Sequence, residues 1–180
     1  MKLKANRLEA LVDGIFAIIM TIMIVSLSEV FILPNSIKNA DFYKLFLTLF
    51  DDFLVYAVSF LILGVLWLEH HWQFHFIKHI DPMLVFINII WLMFLCLIPF
   101  SAMLLGNYLN FFVVMLIFEL NILITFLVLY IHWAYAMHKD RLIDTFDKRT
   151  LLKHRKFYLF PVIVALFTIA LTVLINVLKN

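Results

Sequence analysis

Five long apolar runs, separated by short polar stretches, dominate this chain. They cover about residues 10–33, 52–69, 82–105, 108–137 and 157–178. Crossing the ~30 Å hydrocarbon layer of a bilayer takes about 20 helical residues, which matches these runs. The apolar residues follow one another without the alternation of a barrel strand, so the runs predict helices. The pattern therefore predicts an all-α, polytopic transmembrane helical bundle that forms one domain over residues 1–180.

Local signals refine some of these boundaries. An amphipathic stretch at residues 42–50 precedes the second run. Asp81 followed by Pro82 predicts the N-cap and the first helical residue of the third span. Gly106 and Asn107 mark the turn before the fourth span.

Lysine and arginine counts predict the orientation, because cytoplasmic connections carry an excess of both residues. The N-terminus and the fourth-to-fifth connection are rich in them, and the third-to-fourth connection has none. We therefore predict a multi-pass protein of the cell membrane with a cytoplasmic N-terminus and an outer C-terminus. The basic residues concerned are Lys2, Lys4 and Arg7, then Lys139, Arg141, Lys148, Arg149, Lys153, Arg155 and Lys156.

Composition narrows the function. The chain is 66% hydrophobic and 14% charged, and its net charge of +2 is too small to argue for a nucleic-acid partner. The single cysteine, Cys96, excludes an intrachain disulfide. We find no nucleophile–base pair and no phosphate loop, so we predict neither an enzyme nor a cofactor. A Thr-Val-Gly-Tyr-Gly segment is also absent, which excludes a potassium channel with the usual carbonyl filter.

Two charged residues, Arg7 and Asp13, bracket the start of the first span, where a charge without a partner is costly. Their separation of six residues is about 600° of helix, so they lie on different faces and cannot pair. Glu9 and Asp13 do share a face, and they repel each other. Asp13 must therefore find a partner on another helix, and Asn88 in the third span is a candidate for it or for Arg7.

One face of the first span carries a stripe of residues at helical spacing: Gly14, Ile18, Thr21, Ile22, Val25 and Glu29. Around an axis shared by several copies, this stripe would form aliphatic rings, one hydroxyl layer and an outer acidic ring. Aliphatic rings can gate by dewetting, and an acidic ring concentrates cations. The alternative is an ordinary packing face within a bundle.

Two further groups suggest a different chemistry. His71, His75 and His79 are spaced four apart on the predicted cytoplasmic side, a spacing found in metal sites, although polar residues are also common at helix ends. Glu119 lies well inside the fourth span, where an ionisable group is a candidate proton or ion relay. These groups support a proton- or metal-coupled carrier, while a carboxyl that holds two helices together is the simpler explanation of Glu119. A third possibility is a non-transporting protein that binds lipid or a partner through its basic linker.

Several motifs resemble the transmembrane protein 175 family of potassium channels. Its Arg-x-x-x-Phe-Ser-Asp motif is matched at Arg7 and Asp13, with Leu11-Val12 in place of Phe-Ser, and Gly-Ile-Phe-Ala-Ile follows. The second span resembles the family through Tyr56, Ser59-Phe60 and Trp67-x-x-His70-His71, and the third through Asn88 and Pro99-Phe100. The resemblance covers roughly residues 4–136.

The resemblance implies a homotetramer in which the first helix of each subunit lines a potassium-selective pore. Potassium would pass an aliphatic constriction instead of a carbonyl filter. The implied roles are a constriction at Ile18, Ile22 and Val25, pore lining and selectivity at Thr21 and Glu29, and an inter-helix polar network of Arg7, Asp13, Trp67, His70 and Asn88. The family has six spans per repeat, whereas this sequence shows five.

Overall fold

The computed structural model describes residues 5–28, 39–138 and 148–179. Within those ranges it contains six helices, and their order follows the chain. They are α1 (Ala5–Ser28), α2 (Asn39–Phe76), α3 (Pro82–Cys96), α4 (Ile98–Asn107), α5 (Phe112–Ala136) and α6 (Lys148–Lys179).

Five stretches of the described residues are long and apolar enough to cross a membrane. They are Asn6–Val25, Leu49–Phe76, Pro82–Asn107, Phe112–Ala136 and Tyr158–Lys179, which confirms the predicted all-α bundle with five spans. Some predicted bounds were wrong. The helix of the second span continues from residue 69 to Phe76, and the fourth span begins at Phe112 rather than Tyr108, because residues 108–110 form a turn.

The third span is a single crossing built from two helices. Pro99 has no backbone N–H, and its ring clashes with the carbonyl four residues earlier, so the helix is interrupted at Leu97. The Leu97 N–H bonds to the Phe94 carbonyl at 3.1 Å, which tightens the end of α3 before α4 begins. The bend turns α4 so that it packs against both α2 and α5.

The start of α3 follows the prediction. Asp81 has an extended backbone, its Oδ1 accepts a hydrogen bond from the Leu84 N–H at 2.8 Å, and Pro82 is the first helical residue. The Tyr135 hydroxyl also donates to Asp81 Oδ2 at 2.9 Å. The cap of α3 therefore also attaches this helix to α5.

The hydrophobic core lies where α1, α2, α3, α4 and α5 meet. Its largest fully buried side chains include Trp91, Met23, Leu63, Leu66 and Leu95. The α6 helix packs mainly against α5, on the outside of this core. The fold thus places one face of α1 against the core and leaves its opposite face at the surface of the subunit.

Candidate functional site

The two faces of α1 differ sharply in burial. The side chains that point inwards are all at most 5% exposed: Leu8, Val12, Phe16, Ile19 and Met23. The opposite face includes Gly14, Ile18, Thr21, Ile22 and Val25, all of which are exposed. Phe16 is anchored inside by the Trp91 ring, with ring centroids 5.8 Å apart. The stripe identified in the sequence is therefore a surface of the subunit and not part of its own core.

The three residues predicted to form a constriction lie on this exposed face. Ile18 is 59% exposed, Ile22 49% and Val25 54%. They line one side of an apolar groove of about 520 Å³ between α1 and the third span. The opposite side of the groove is formed by Cys96, Pro99, Phe100 and Met103.

Thr21 is the polar residue of the described part of the stripe. Its hydroxyl donates back to its own helix, to the Ile18 carbonyl at 2.7 Å and the Ala17 carbonyl at 3.0 Å. The proton is therefore engaged within the helix, and the oxygen lone pairs remain as acceptors on the exposed face. Glu29, predicted to follow further out, lies outside the described residues.

At the other end of α1, two acidic residues contact α2. The Trp67 indole Nε1–H donates to Asp13 Oδ1 at 2.9 Å, and His71 Nδ1 lies 3.4 Å from Glu9 Oε1. The Trp67 and His71 rings stack with centroids 5.5 Å apart. Each acid thus meets its own partner on α2.

A second polar contact joins α2 to α3. His70 Nε2 lies 2.8 Å from Asn88 Oδ1, and both side chains are fully buried. The His70 ring is stacked between Trp91 and Phe74, with centroid separations of 4.6 Å and 4.4 Å. Asn88 therefore pairs with His70, and not with Asp13 or Arg7.

A third contact, which the sequence did not reveal, joins α2 to α5. The Gln73 amide Nε2–H donates to the Leu129 carbonyl at 3.1 Å, and Gln73 Oε1 lies 2.7 Å from His132 Nδ1. Because the Gln73 oxygen can only accept, His132 donates from Nδ1. The available signal was spacing: Trp67, His70 and Gln73 occur every third residue and so lie near one face of α2.

The predicted polar network of five residues thus consists of two separate pairs, Asp13–Trp67 and His70–Asn88, on neighbouring turns of α2. The fifth residue, Arg7, is exposed near the start of α1. It belongs to neither pair.

The residues proposed for a carrier lie apart from the α1 stripe. Glu119 Oε1 accepts a hydrogen bond from the Thr172 hydroxyl at 2.9 Å, so it connects α5 to α6. Of the predicted histidine face of His71, His75 and His79, His71 lies 3.4 Å from Glu9 Oε1. Among the residues that the structure describes, no group of three or more His, Cys, Asp or Glu side chains is arranged to hold a metal ion.

The fold and the exposed face of α1 together define a multi-pass membrane protein with an aliphatic stripe on its first helix. Residues 7–99 match the family model described as "Endosomal/lysosomal potassium channel TMEM175". This match covers more than half of the chain and contains Asp13, Trp67, His70 and Asn88. The chain belongs to the TMEM175 family.

Proteins of two bacteria and one vertebrate are similar in sequence to this chain. A protein of Streptomyces collinus named as a potassium channel is 29% identical over 107 residues, which are 59% of this chain and 50% of the relative. One from Chryseobacterium sp., also named as a potassium channel, is 31% identical over 57% of this chain and 49% of its own. The chicken relative, named as an endosomal/lysosomal proton channel, is 30% identical over 58% of this chain and 20% of its own. The chain therefore aligns with about half the length of the bacterial relatives.

A solved structure extends the similarity beyond the family match. The lysosomal potassium-selective channel TMEM175 homologue of Chamaesiphon minutus superposes with a TM-score of 0.78. The two chains are 25% identical, and the superposition covers 94% of this chain and 87% of the other. The shared fold therefore includes helices that follow the matched residues 7–99.

Proposed function

We propose that this chain is one subunit of a homotetrameric potassium channel in the cell membrane, selective for potassium but leaky to other monovalent cations. The observation that carries the proposal is the exposed aliphatic stripe of α1, on a helix whose other face is fully buried. A single subunit encloses no pore, so the stripe needs further copies to form one. The family membership and the names of the relatives support potassium as the ion.

In the proposed tetramer the α1 stripes of four copies face a common axis. Ile18, Ile22 and Val25 then form successive aliphatic rings, of which the Ile18 ring is the constriction. Such a ring controls the passage of ions through its diameter and its wetting. Thr21 adds a ring of hydroxyl oxygens whose lone pairs are available to a cation, and Glu29 adds an acidic ring further out.

The polar contacts behind α1 serve to hold it in place in this proposal. The Asp13–Trp67 and Glu9–His71 contacts attach the predicted cytoplasmic end of α1 to α2. The His70–Asn88 pair then fixes α2 against α3. Arg7 precedes Glu9 by two residues, at the end of α1 that is predicted to be cytoplasmic.

The two residues that depart from the family motif, Leu11 and Val12, lie on different faces of α1. Val12, in place of the family's serine, is fully buried among the core residues, where an apolar side chain is well accommodated. Leu11, in place of phenylalanine, is 48% exposed and seven residues before Ile18, so it lies on the stripe. The substitution therefore changes the pore face at its predicted cytoplasmic end.

A flux assay tests the proposal. The full chain is reconstituted into liposomes, and potassium, sodium and proton fluxes are compared for the natural sequence, Ile18→Asn and Ile24→Asn. Ile24 is the matched control, because it is an isoleucine on the same helix with 53% exposure, about 120° around the helix from Ile18. We expect potassium flux to exceed sodium flux, and Ile18→Asn to change it by about tenfold, equivalent to ~1.4 kcal/mol in the barrier.

Equal effects of Ile18→Asn and Ile24→Asn would contradict the assigned constriction. An absence of potassium flux from folded oligomers would contradict the channel itself. A proton flux without potassium flux would assign this chain the ion named for the chicken relative.

A further inference from the structure

A second groove, separate from the α1 stripe, lies between α2, α5 and α6. Its volume is about 710 Å³, within the range of small-molecule sites. The walls are apolar, with Leu61 and Val65 on α2, Ile122 and Phe126 on α5, and Phe160 and Val164 on α6. None of its lining residues lies on α1, so this groove does not belong to the proposed pore.

Two carboxylates interrupt the apolar lining, and their surroundings differ. As whole residues, both are partly buried. Glu119 Oε1 accepts a hydrogen bond from Thr172 at 2.9 Å and its Oε2 is fully buried, whereas Glu69 lies at the other end of the groove. A cation entering the groove can therefore approach Glu69, whereas Thr172 and the surrounding side chains shield Glu119.

The end of the groove at Glu69 carries aromatic residues of the kind found at a membrane surface. Trp72 is exposed close to it on α2, and the Tyr158 hydroxyl of α6 donates to the Glu69 carbonyl at 3.4 Å. Aromatic residues of this kind concentrate where the bilayer meets water. A charged group bound beside Glu69 would therefore keep contact with the interface.

The length of the groove suits one hydrocarbon chain. Glu69 and Val58 both line it and lie eleven residues apart on α2, which is about 16 Å of helix. This is about half of the ~30 Å hydrocarbon thickness, the depth reached by a single chain in one leaflet.

We infer that this groove binds a single-chain lipophilic amine, with the ammonium group beside the Glu69 carboxylate and the alkyl chain along α2, α5 and α6 towards Val58. Charge complementarity selects this ligand. The Glu69 carboxylate attracts an ammonium ion and repels the phosphate of a phospholipid or the carboxylate of a fatty acid. A neutral alcohol of the same length fills the groove equally well but gains nothing from the charge.

Photolabelling of the full chain in phosphatidylcholine nanodiscs tests this site without any measurement of ion flux. The probes are dodecylamine and dodecanol, each with a diazirine at the end of the chain, and labelled residues are mapped by mass spectrometry. We expect the amine to label the far end of the groove, around Val58, Leu105 and Met115, about fivefold more than the alcohol, as an ion pair worth ~1 kcal/mol would give.

Variants test which of the two carboxylates causes the preference for the amine. Glu69→Gln should reduce labelling by the amine to the level of the alcohol, and Glu69→Asp should keep the preference. Glu119→Gln is the matched control in the same groove and should leave the ratio unchanged. Circular dichroism and elution volume verify that each variant is folded.

Equal labelling by amine and alcohol in the natural sequence would overturn the proposal, because a lipid chain of any kind then fills the groove. A preference that survives Glu69→Gln would also overturn it. Neither result bears on the proposed pore, since the two grooves share no residue.

Discussion

Trp67, His70 and Gln73 make α2 the connecting helix of this subunit. Each side chain reaches a different neighbour: Asp13 on α1, Asn88 on α3, and His132 on α5. Hydrogen bonds between membrane helices are worth modest amounts individually, but breaking one leaves a buried group without a partner. The three contacts therefore fix how α1 is held relative to the rest of the bundle.

Gln73→Leu tests the contact that the sequence did not reveal. The change leaves the His132 Nδ1–H without its acceptor and removes the second hydrogen bond of the Leu129 carbonyl, which stays bonded within α5. We therefore expect a loss of about 1–3 kcal/mol in the free energy of unfolding. Chemical unfolding in mild detergent measures it. The double variant Gln73→Leu, His132→Phe removes both side chains and should cost less than the sum of the single changes. Strict additivity would show that the two residues are not coupled.

Thr21 offers a test of ion selectivity. Thr21→Val keeps the shape of the side chain and removes the hydroxyl oxygen, so we expect a lower ratio of potassium to sodium flux with flux retained. Thr125→Val is the control, because Thr125 makes the same bond to its own helix, to the Asn121 carbonyl at 2.7 Å, but is buried in the core. A selectivity ratio that falls equally in both variants would argue against a hydroxyl layer in the pore.

One face of the helix α1 packs inside its own subunit, and the other face is exposed at the subunit surface. Its buried residues recur every three or four positions, as they do on any packed amphipathic helix, but its exposed face is aliphatic instead of polar. A long exposed apolar face normally marks contact with lipid or with another protein surface.

Alanine substitutions at two glycines distinguish an effect on ion flux from an effect on helix stability. A Cβ added at Gly14 or at Gly64 meets no atom within 4 Å beyond its chain neighbours and the nearby backbone of its own helix. Alanine at either position should stabilise its helix by up to about 1 kcal/mol. Only Gly14→Ala should also change potassium flux, since Gly14 lies one turn from Ile18 on the stripe. Thermal unfolding and liposome flux are compared for both variants, and similar flux in the two would place Gly14 away from the pore.

The proposed tetramer must differ from the single subunit at the groove between α1 and the third span. Cys96, the single cysteine of the chain, lines this groove and is exposed in the subunit. In the proposed tetramer the neighbouring copy covers the groove or narrows access to it.

Cys96 therefore reports on assembly. We expect N-ethylmaleimide to react slowly with Cys96 in the purified oligomer and faster after a harsher detergent has separated the subunits. Mass spectrometry follows the modified fraction with time. Leu166→Cys in a Cys96→Ala background is the control, because residue 166 is exposed on α6, which packs mainly against α5 and contributes no residue to the α1 groove. A rate for Cys96 that does not depend on assembly would contradict a copy seated at this groove.

Much of the fold followed from local properties of the chain. Whether a segment crosses a bilayer depends on the length and hydropathy of that segment alone, which is why five spans were predictable. The N-cap at Asp81 and the need of Asp13 for a partner on another helix also follow from residues close together in the chain. The stripe on α1 is visible for the same reason, since helical periodicity is local.

The choice of partners required the packed structure. Asp13 and Trp67 are 54 residues apart and Gln73 and His132 are 59 apart, and no periodicity within one helix identifies such pairs. Asn88 was a candidate partner for Asp13, yet α2 supplies Trp67 to Asp13 and His70 to Asn88. The two grooves arise likewise from the spacing between helices. The runs of this sequence specify which segments are helices in the membrane, whereas only the packing of those helices specifies which polar side chains meet and which apolar faces stay exposed, because contact depends on distance in space.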